Sequence, residues 1–282
     1  MTIIDTGFNC FSLNSAPSDI ISNVADMYRS DASKPQIDFN ISMRSEGLFR
    51  KLFSPQISFY LGSEEPFRPL PRAHSYPFLE WSMNWVTTAY LSNVLLIHAA
   101  VLEKDGQSIV FPAPPGSGKS TITAYLMLKG WRLLSDEMTI INLANGEVYP
   151  SVRPVCLKND SIDIVSSWEN ITKLTAKHKD THKGTVAHLR PTEISFDMKY
   201  EISKIRAVIF PKFTPGDILQ IEPIEKSQVL MKLVENSFNF NTLGQVAFSC
   251  LKRIVDDTIS YNVYHNDLSE LEDFLISEII TQ

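Results

Sequence analysis

The residues with the most direct chemical reading lie between positions 98 and 137. Ala113 to Ser120 spells A-P-P-G-S-G-K-S, the A/G-x-x-x-x-G-K-S/T spacing of a phosphate-binding loop (P-loop), with alanine in place of the usual first glycine. Gly116 and Gly118 have no Cβ, so the backbone can turn its N–H groups inward around an anion. Pro115, Gly116, Ser117, Gly118, Lys119, Ser120 and Thr121 form the expected phosphate cradle. Lys119 would supply a point charge for the β and γ phosphates, and the Ser120 hydroxyl would ligate the Mg2+ that bridges them. Sixteen residues beyond Ser120 stand Asp136 and Glu137, at the end of the apolar run WRLLS. In an open α/β sheet ligands bind at the carboxyl ends of strands, so these two acids are expected to face the phosphates. One could hold magnesium and one could take a proton from an attacking hydroxyl; their positions do not say which. His98 is the only polar side chain in VLLIHAAVL. By itself such a histidine reads as a core residue at least as readily as a site residue.

These groups need elements to carry them. SIVF (108–111) is a short apolar strand entering the loop, and TITAYLML after it places Ile122, Leu126 and Met127 on one helical face. The helix is expected over about Lys119–Lys129, stopped by Lys129-Gly130, with the positive end of its dipole on the phosphates. WRLLS then reads as the next strand. Asp105-Gly106 between two apolar runs predicts a tight hairpin, which puts His98 on the strand before the one that feeds the loop.

The rest of the chain bounds the possibilities. It has 282 residues, 44% hydrophobic and 21% charged, with a net charge of −6. Such a chain suits one large domain or two small ones. The acidic balance, with a pI near 5.6, provides no basic face for nucleic acid or an anionic membrane. Cys10, Cys156 and Cys250 are odd in number and lack metal-ligand spacing, which favours a reduced, cytoplasmic setting. MTIIDTGFNCF lacks the basic start and apolar run of a signal peptide, and no apolar run reaches membrane-spanning length. There is no internal repeat and no low-complexity tract.

Residues 1–90 are expected to form a β-rich N-terminal region with a linking helix, and 91–282 the domain that carries the loop. In the first region, IDFNISMR (37–44) and ISFYL (57–61) read as strands and EEPFRPLPRAHSYP (64–77) as a connector. FLEWSMNWVTTAYLS (78–92) carries Leu79, Met83, Val86 and Tyr90 at helical spacing. Further on, KHKDTHKG holds His178 and His182 four apart. That spacing could serve a metal on a helix, but Lys, Asp and Gly dilute any helix there and a solvated basic loop is the preferred reading. Arg153 and Lys158 are read equally as phosphate or acidic-substrate contacts and as ordinary strand-edge charges. The C-terminal third reads as scaffold: helices near 225–238 and 243–257, the strand ISYNVY, and a last helix over 268–280.

Taken in order, LLIHAAVLEKDG, PAPPGSGKST and KGWRLLSDE resemble the catalytic domain of the HPr kinase/phosphorylase group, and its HprK-related kinase A branch in particular. SVRPVCLKNDSI (151–162), HKGTVAHLRP (182–191), IRAVIFPKF (205–213), FNFNTLG (238–244) and ISYNVYHNDL (259–268) extend the resemblance over about residues 90–270. It implies an α/β fold like that of phosphoenolpyruvate carboxykinase: a P-loop kinase domain with a mixed, twisted sheet flanked by helices. It also implies that His98 and Asp136 form the base that activates a serine hydroxyl, with Glu137 in place of a second aspartate, able to reach magnesium. The family's later acidic and basic signature falls on Thr181 and Lys183-Gly184, a poor match that leaves the phosphorylase half of the family's chemistry without support.

The expectation that follows is an ATP- and magnesium-dependent kinase with a hydroxyl acceptor, in the first place a serine of a protein or peptide. Members of the wider group phosphorylate HPr and some modify ribosomally made precursor peptides. A kinase of a small hydroxylated metabolite and a nucleotide-binding regulatory protein with little turnover are the alternatives. The group's hexamers make a homo-oligomer an expectation as well.

Overall fold

The computed structural model describes residues 1–29, 36–45, 55–114, 116–216 and 219–281. The chain is mixed α/β and divides into two compact units, Met1–Tyr90 with Cys156–Arg190, and Leu91–Val155 with Pro191–Gln282.

The first unit is built on a five-stranded sheet in the order Thr2–Asp5, Cys10–Ser15, Phe39–Ser45, Gln56–Leu61, Leu70–Pro71. Cys10–Ser15 and Phe39–Ser45 run parallel, and the other neighbours are antiparallel. The helix Ser18–Met27 buries Ile20, Val24 and Met27. That i, i+4, i+7 stripe is present in the sequence and passed unread there. The helix Ser75–Tyr90 starts three residues earlier than the sequence suggests and buries Leu79, Met83 and Val86, whereas Tyr90 is half exposed at its end. These stripes meet Phe11, Ile41 and Phe59 of the sheet in one core. In KHKDTHKG the chain makes a hairpin, not a loop: His178–Thr181 pairs with Gly184–Leu189, with Asp180 at φ +57 in the irregular stretch between the paired positions.

The second unit holds a six-stranded sheet in the order Gln220–Pro223, Ile259–His265, Lys204–Phe213, Gln107–Pro112, Ala99–Lys104, Arg132–Ser135. Ile259–His265, Lys204–Phe213 and Gln107–Pro112 are mutually parallel, and the remaining pairs are antiparallel. A smaller sheet pairs Thr139–Asn142 with Val94–Ile97 and Val148–Tyr149. The strands bury Leu95, Ile97, Val101, Val110, Leu134 and Val208 in a core with Leu233 and Leu251 from two helices, Lys226–Glu235 and Gln245–Asp257. Strands covered on both faces read as unbroken apolar runs, which is the pattern of VLLIHAAVL and SIVF.

Local signals are obeyed closely here. Asp105 and Gly106 take φ +54 and +79 between the paired residues Lys104 and Gln107, the doubly left-handed two-residue hairpin that Asp-Gly favours. The helix Lys119–Leu128 ends where Gly130 turns left-handed. The Gly130 N–H donates to the Met127 carbonyl and the Trp131 N–H to the Leu126 carbonyl, closing the helix with a Schellman motif. The final helical stretch is α over Leu268–Leu275 and widens to π over Ile276–Ile280. No helix of the described residues is long and apolar enough to cross a membrane.

One pair of charges is buried in this sheet. Glu103 and Arg132 lie opposite each other on neighbouring strands, 7% and 3% exposed, and form an ion pair; Arg132 also donates to the Met198 carbonyl at 3.1 Å. Burial alone pulls the guanidinium below its ordinary range, and Glu103 opposes that. Removing one member of a buried pair strands the other, at a cost of about 3–5 kcal/mol. Glu103→Ala is therefore expected to lower unfolding free energy by about that much in urea titration, and Glu103→Met with Arg132→Leu to recover most of it.

Candidate functional site

The site begins where the strand Gln107–Pro112 ends. Ala113 is buried, Gly116 and Gly118 take φ +86 and +89, and the Ser117 N–H donates to the Pro114 carbonyl at 3.3 Å. Pro115 lies outside the described residues. Gly118 is the N-cap of the helix and no side chain caps it, so the first-turn N–H groups keep no side-chain acceptor. The Ser117 hydroxyl is buried in the loop and has no hydrogen-bond partner. An uncapped helix start, two left-handed glycines and an orphan hydroxyl suit a polyphosphate.

Two short contacts gather the other groups at the first helical turn. Lys119, 8% exposed, places its Nζ 3.3 Å from His98 Nε2. The neighbouring Ser120 donates its hydroxyl to Asp136 Oδ2, also at 3.3 Å. Asp136 is 6% exposed and Glu137 follows it, half buried, in the bend after Arg132–Ser135. Thr121 lies in the first turn, its N–H bonded to the Gly118 carbonyl. His98, Lys119, Ser120 and Asp136 thus converge within one turn of helix. Ser120 and Asp136 present oxygen atoms side by side at this turn, and Glu137 follows Asp136 in the chain. No group of three or more His, Cys, Asp or Glu suited to a metal ion occurs among the described residues.

His98 is not on a strand, as the sequence suggests, but at a break. Val94–Ile97 belongs to the small sheet and Ala99–Lys104 to the large one, and the chain changes sheet at His98. A segment far away in sequence holds that break. The Asn236 carbonyl accepts from the His98 N–H at 2.7 Å, and the Phe238 N–H donates to the Leu96 carbonyl at 2.9 Å. Buried Asn239 accepts from the Leu96 N–H at 3.0 Å and donates to the Val94 carbonyl at 2.9 Å. The half-exposed Phe238 then stands edge-on to the imidazole, with ring centroids 5.9 Å apart.

His178 Nδ1 donates to the Ala73 carbonyl at 2.7 Å, and His182 stands edge-on to Trp81, both within the first unit. Arg153 belongs to the second unit and Lys158 to the first, at the end of the strand Val155–Lys158. Cys10, Cys156 and Cys250 are free thiols, and burial pushes the Cys250 thiol up. Among known proteins, no family model matches the chain and no curated protein matches it.

Sequence reasoning missed Phe238, Asn239, Phe213 and His265. The register of two parallel strands brings His265 beside Phe213, 52 positions away in sequence. His265 is 2% exposed, neither ring nitrogen has a hydrogen-bond partner, and burial holds its pKa below the ordinary imidazole range. A depressed histidine pKa means that the unfolded chain binds the extra proton first. Stability is fully present above the unfolded value near 6.5 and falls as pH drops through it. The melting temperature is expected to decline more steeply below about pH 6.5 in the native protein than in His265→Phe, which scanning fluorimetry across pH 5 to 8 would measure.

Proposed function

We propose that this protein is an ATP-dependent, magnesium-requiring kinase that transfers the γ-phosphate to a hydroxyl, in the first place a serine of a protein or peptide. The observation that carries the reading is the convergence of Lys119 on His98 and of Ser120 on Asp136 beside an uncapped, glycine-turned helix start. The resemblance of residues 90–270 to HPr-kinase-related proteins adds the reaction class, the P-loop kinase fold and the cytoplasmic setting. The mixed sheet with its strand, loop and helix is in keeping with that fold.

The loop amides and Lys119 would hold the β and γ phosphates and keep the chain extended for in-line attack. Ser120 and Glu137 would hold magnesium, which would offset the charge of the phosphates. Asp136 would accept the acceptor's proton as the new O–Pγ bond forms and the bond from Pγ to the ADP oxygen breaks. His98, half buried against Phe238 and close to Lys119, would orient the acceptor side. Water exclusion and charge neutralisation would supply most of the rate.

A second reading is favoured by one contact. Ser120 already donates to Asp136, the arrangement by which a loop serine and a strand-end aspartate share a magnesium shell, with Glu137 then left as the base.

Purified protein with γ-labelled ATP, magnesium and a cell extract as acceptor source tests the proposal. Label on a peptide or protein supports it, label on a small molecule moves the acceptor to the metabolite class, and tight nucleotide binding with neither transfer nor hydrolysis sinks it in favour of a regulatory nucleotide sensor. Lys119→Ala is expected to abolish transfer. Asp136→Asn should cost about 10²- to 10⁴-fold in kcat with unchanged magnesium dependence if Asp136 is the base. A raised magnesium requirement in Asp136→Asn, with the rate lost in Glu137→Gln, would exchange the two roles.

A further inference from the structure

The residues that would act on the transferred phosphate all lie on one side of the loop. In the large sheet, Gln107–Pro112 has Ala99–Lys104 and then Arg132–Ser135 on one edge, which bring His98 and Asp136. On the other edge it has Lys204–Phe213 and then Ile259–His265. A nucleoside triphosphate whose γ end meets His98 and Asp136 must lead its nucleoside away from them, toward the second edge. The aromatic ring at the end of that edge is Phe213.

Phe213 has the properties of a stacking surface. It closes its strand at the sheet end from which the loop departs, and a Cβ placed on Gly118 would lie 3.7 Å from the Phe213 Cβ, so the two backbones are neighbours. The side chain is 50% exposed although the strand before it buries Ala207, Val208 and Ile209 completely. It is supported from behind: His265 pairs with it in register, and the buried imidazole meets the phenyl ring edge to face, centroids 6.1 Å apart and planes at 69°. A half-exposed ring braced by a buried neighbour offers a planar base a surface on which to stack.

Resting on the kinase reading of the loop, we infer that Phe213 is the platform on which the nucleotide base stacks, with His265 holding the ring in place. The loop recognises only phosphates, so the contact with the base has to come from elsewhere, and a π face accepts any base without hydrogen-bond readout. The site would then be tolerant among purine triphosphates, binding both ATP and GTP.

Calorimetric titration of the purified protein with ATP and with inorganic tripolyphosphate, each with magnesium, separates base from phosphate. Phe213→Ala is expected to weaken ATP by about ten- to a hundredfold and leave tripolyphosphate unchanged, and Phe213→Trp to retain native ATP affinity. GTP should lose as much as ATP. Unchanged ATP affinity in Phe213→Ala overturns the inference, as does an equal loss for ATP and tripolyphosphate, which would make Phe213 a support of the loop. A native protein that binds neither probe overturns the phosphate reading itself, a result distinguishable from the first two.

Discussion

The strand Gln107–Pro112 is hydrogen-bonded along both edges and its Ile109, Val110 and Phe111 are buried, so its end is constrained from every side. The chain must leave this sheet interior and start a helix within six residues, Ala113 to Gly118. Two left-handed glycines make that exit sterically open, since an L side chain at φ near +90° is strained whatever space surrounds it. On the proposed reading this tight sheet exit is also an anion cradle, and the rigidity of the strand would hold it still.

His98 illustrates how a catalytic candidate can be placed by elements that share no sequence with it. The chain switches from the small sheet to the large one at this residue, so its backbone N–H faces no strand partner in the usual ladder. Asn236 takes that N–H, while Phe238 and both ends of the Asn239 amide bond the strand before it. A buried amide satisfied at both donor and acceptor is costly to shift, because any movement leaves a polar group unpaired. The break is thereby held as firmly as a strand, and the imidazole is directed at Lys119 while the loop connecting the two helices stays anchored.

Legibility in the sequence follows the range of the physics. The glycine loop, its helix, the Lys129-Gly130 stop and the Asp-Gly hairpin were readable because each depends on residues within about five positions of one another. The strands around them were readable from apolar runs. What was not legible depends on register and on distant pairing. Nothing near His98 announces a change of sheet, nothing in FNFNTLG announces a clamp on residues 94–98, and Phe213 and His265 become neighbours only when two parallel strands align. The hairpin at 178–189 escaped for a different reason: its first strand, HKDT, is polar throughout and gives no apolar alternation to read. The helix Ser18–Met27 shows the opposite case, a clear apolar stripe that local reading could have found.

Strand direction explains why these separate pieces meet at one end of the sheet. Lys204–Phe213 and Ile259–His265 run parallel to Gln107–Pro112, so Phe213 and His265 finish where the loop begins. Ala99–Lys104 is antiparallel to Gln107–Pro112, pairing Ala99 with Pro112, so its start, and His98 just before it, falls at that same end. Arg132–Ser135 is antiparallel in turn to Ala99–Lys104, which makes it parallel to the loop strand and brings Asp136 and Glu137 out beside the loop. Two antiparallel pairings restore the direction, and the chain makes that step through the loop and the helix Lys119–Leu128, which cross over Ala99–Lys104. An acidic pair, an imidazole, a lysine and an open aromatic ring therefore share one sheet end by topology, before any side chain is considered. The edge with the reversals gathers the titratable groups, while the parallel edge contributes an apolar surface.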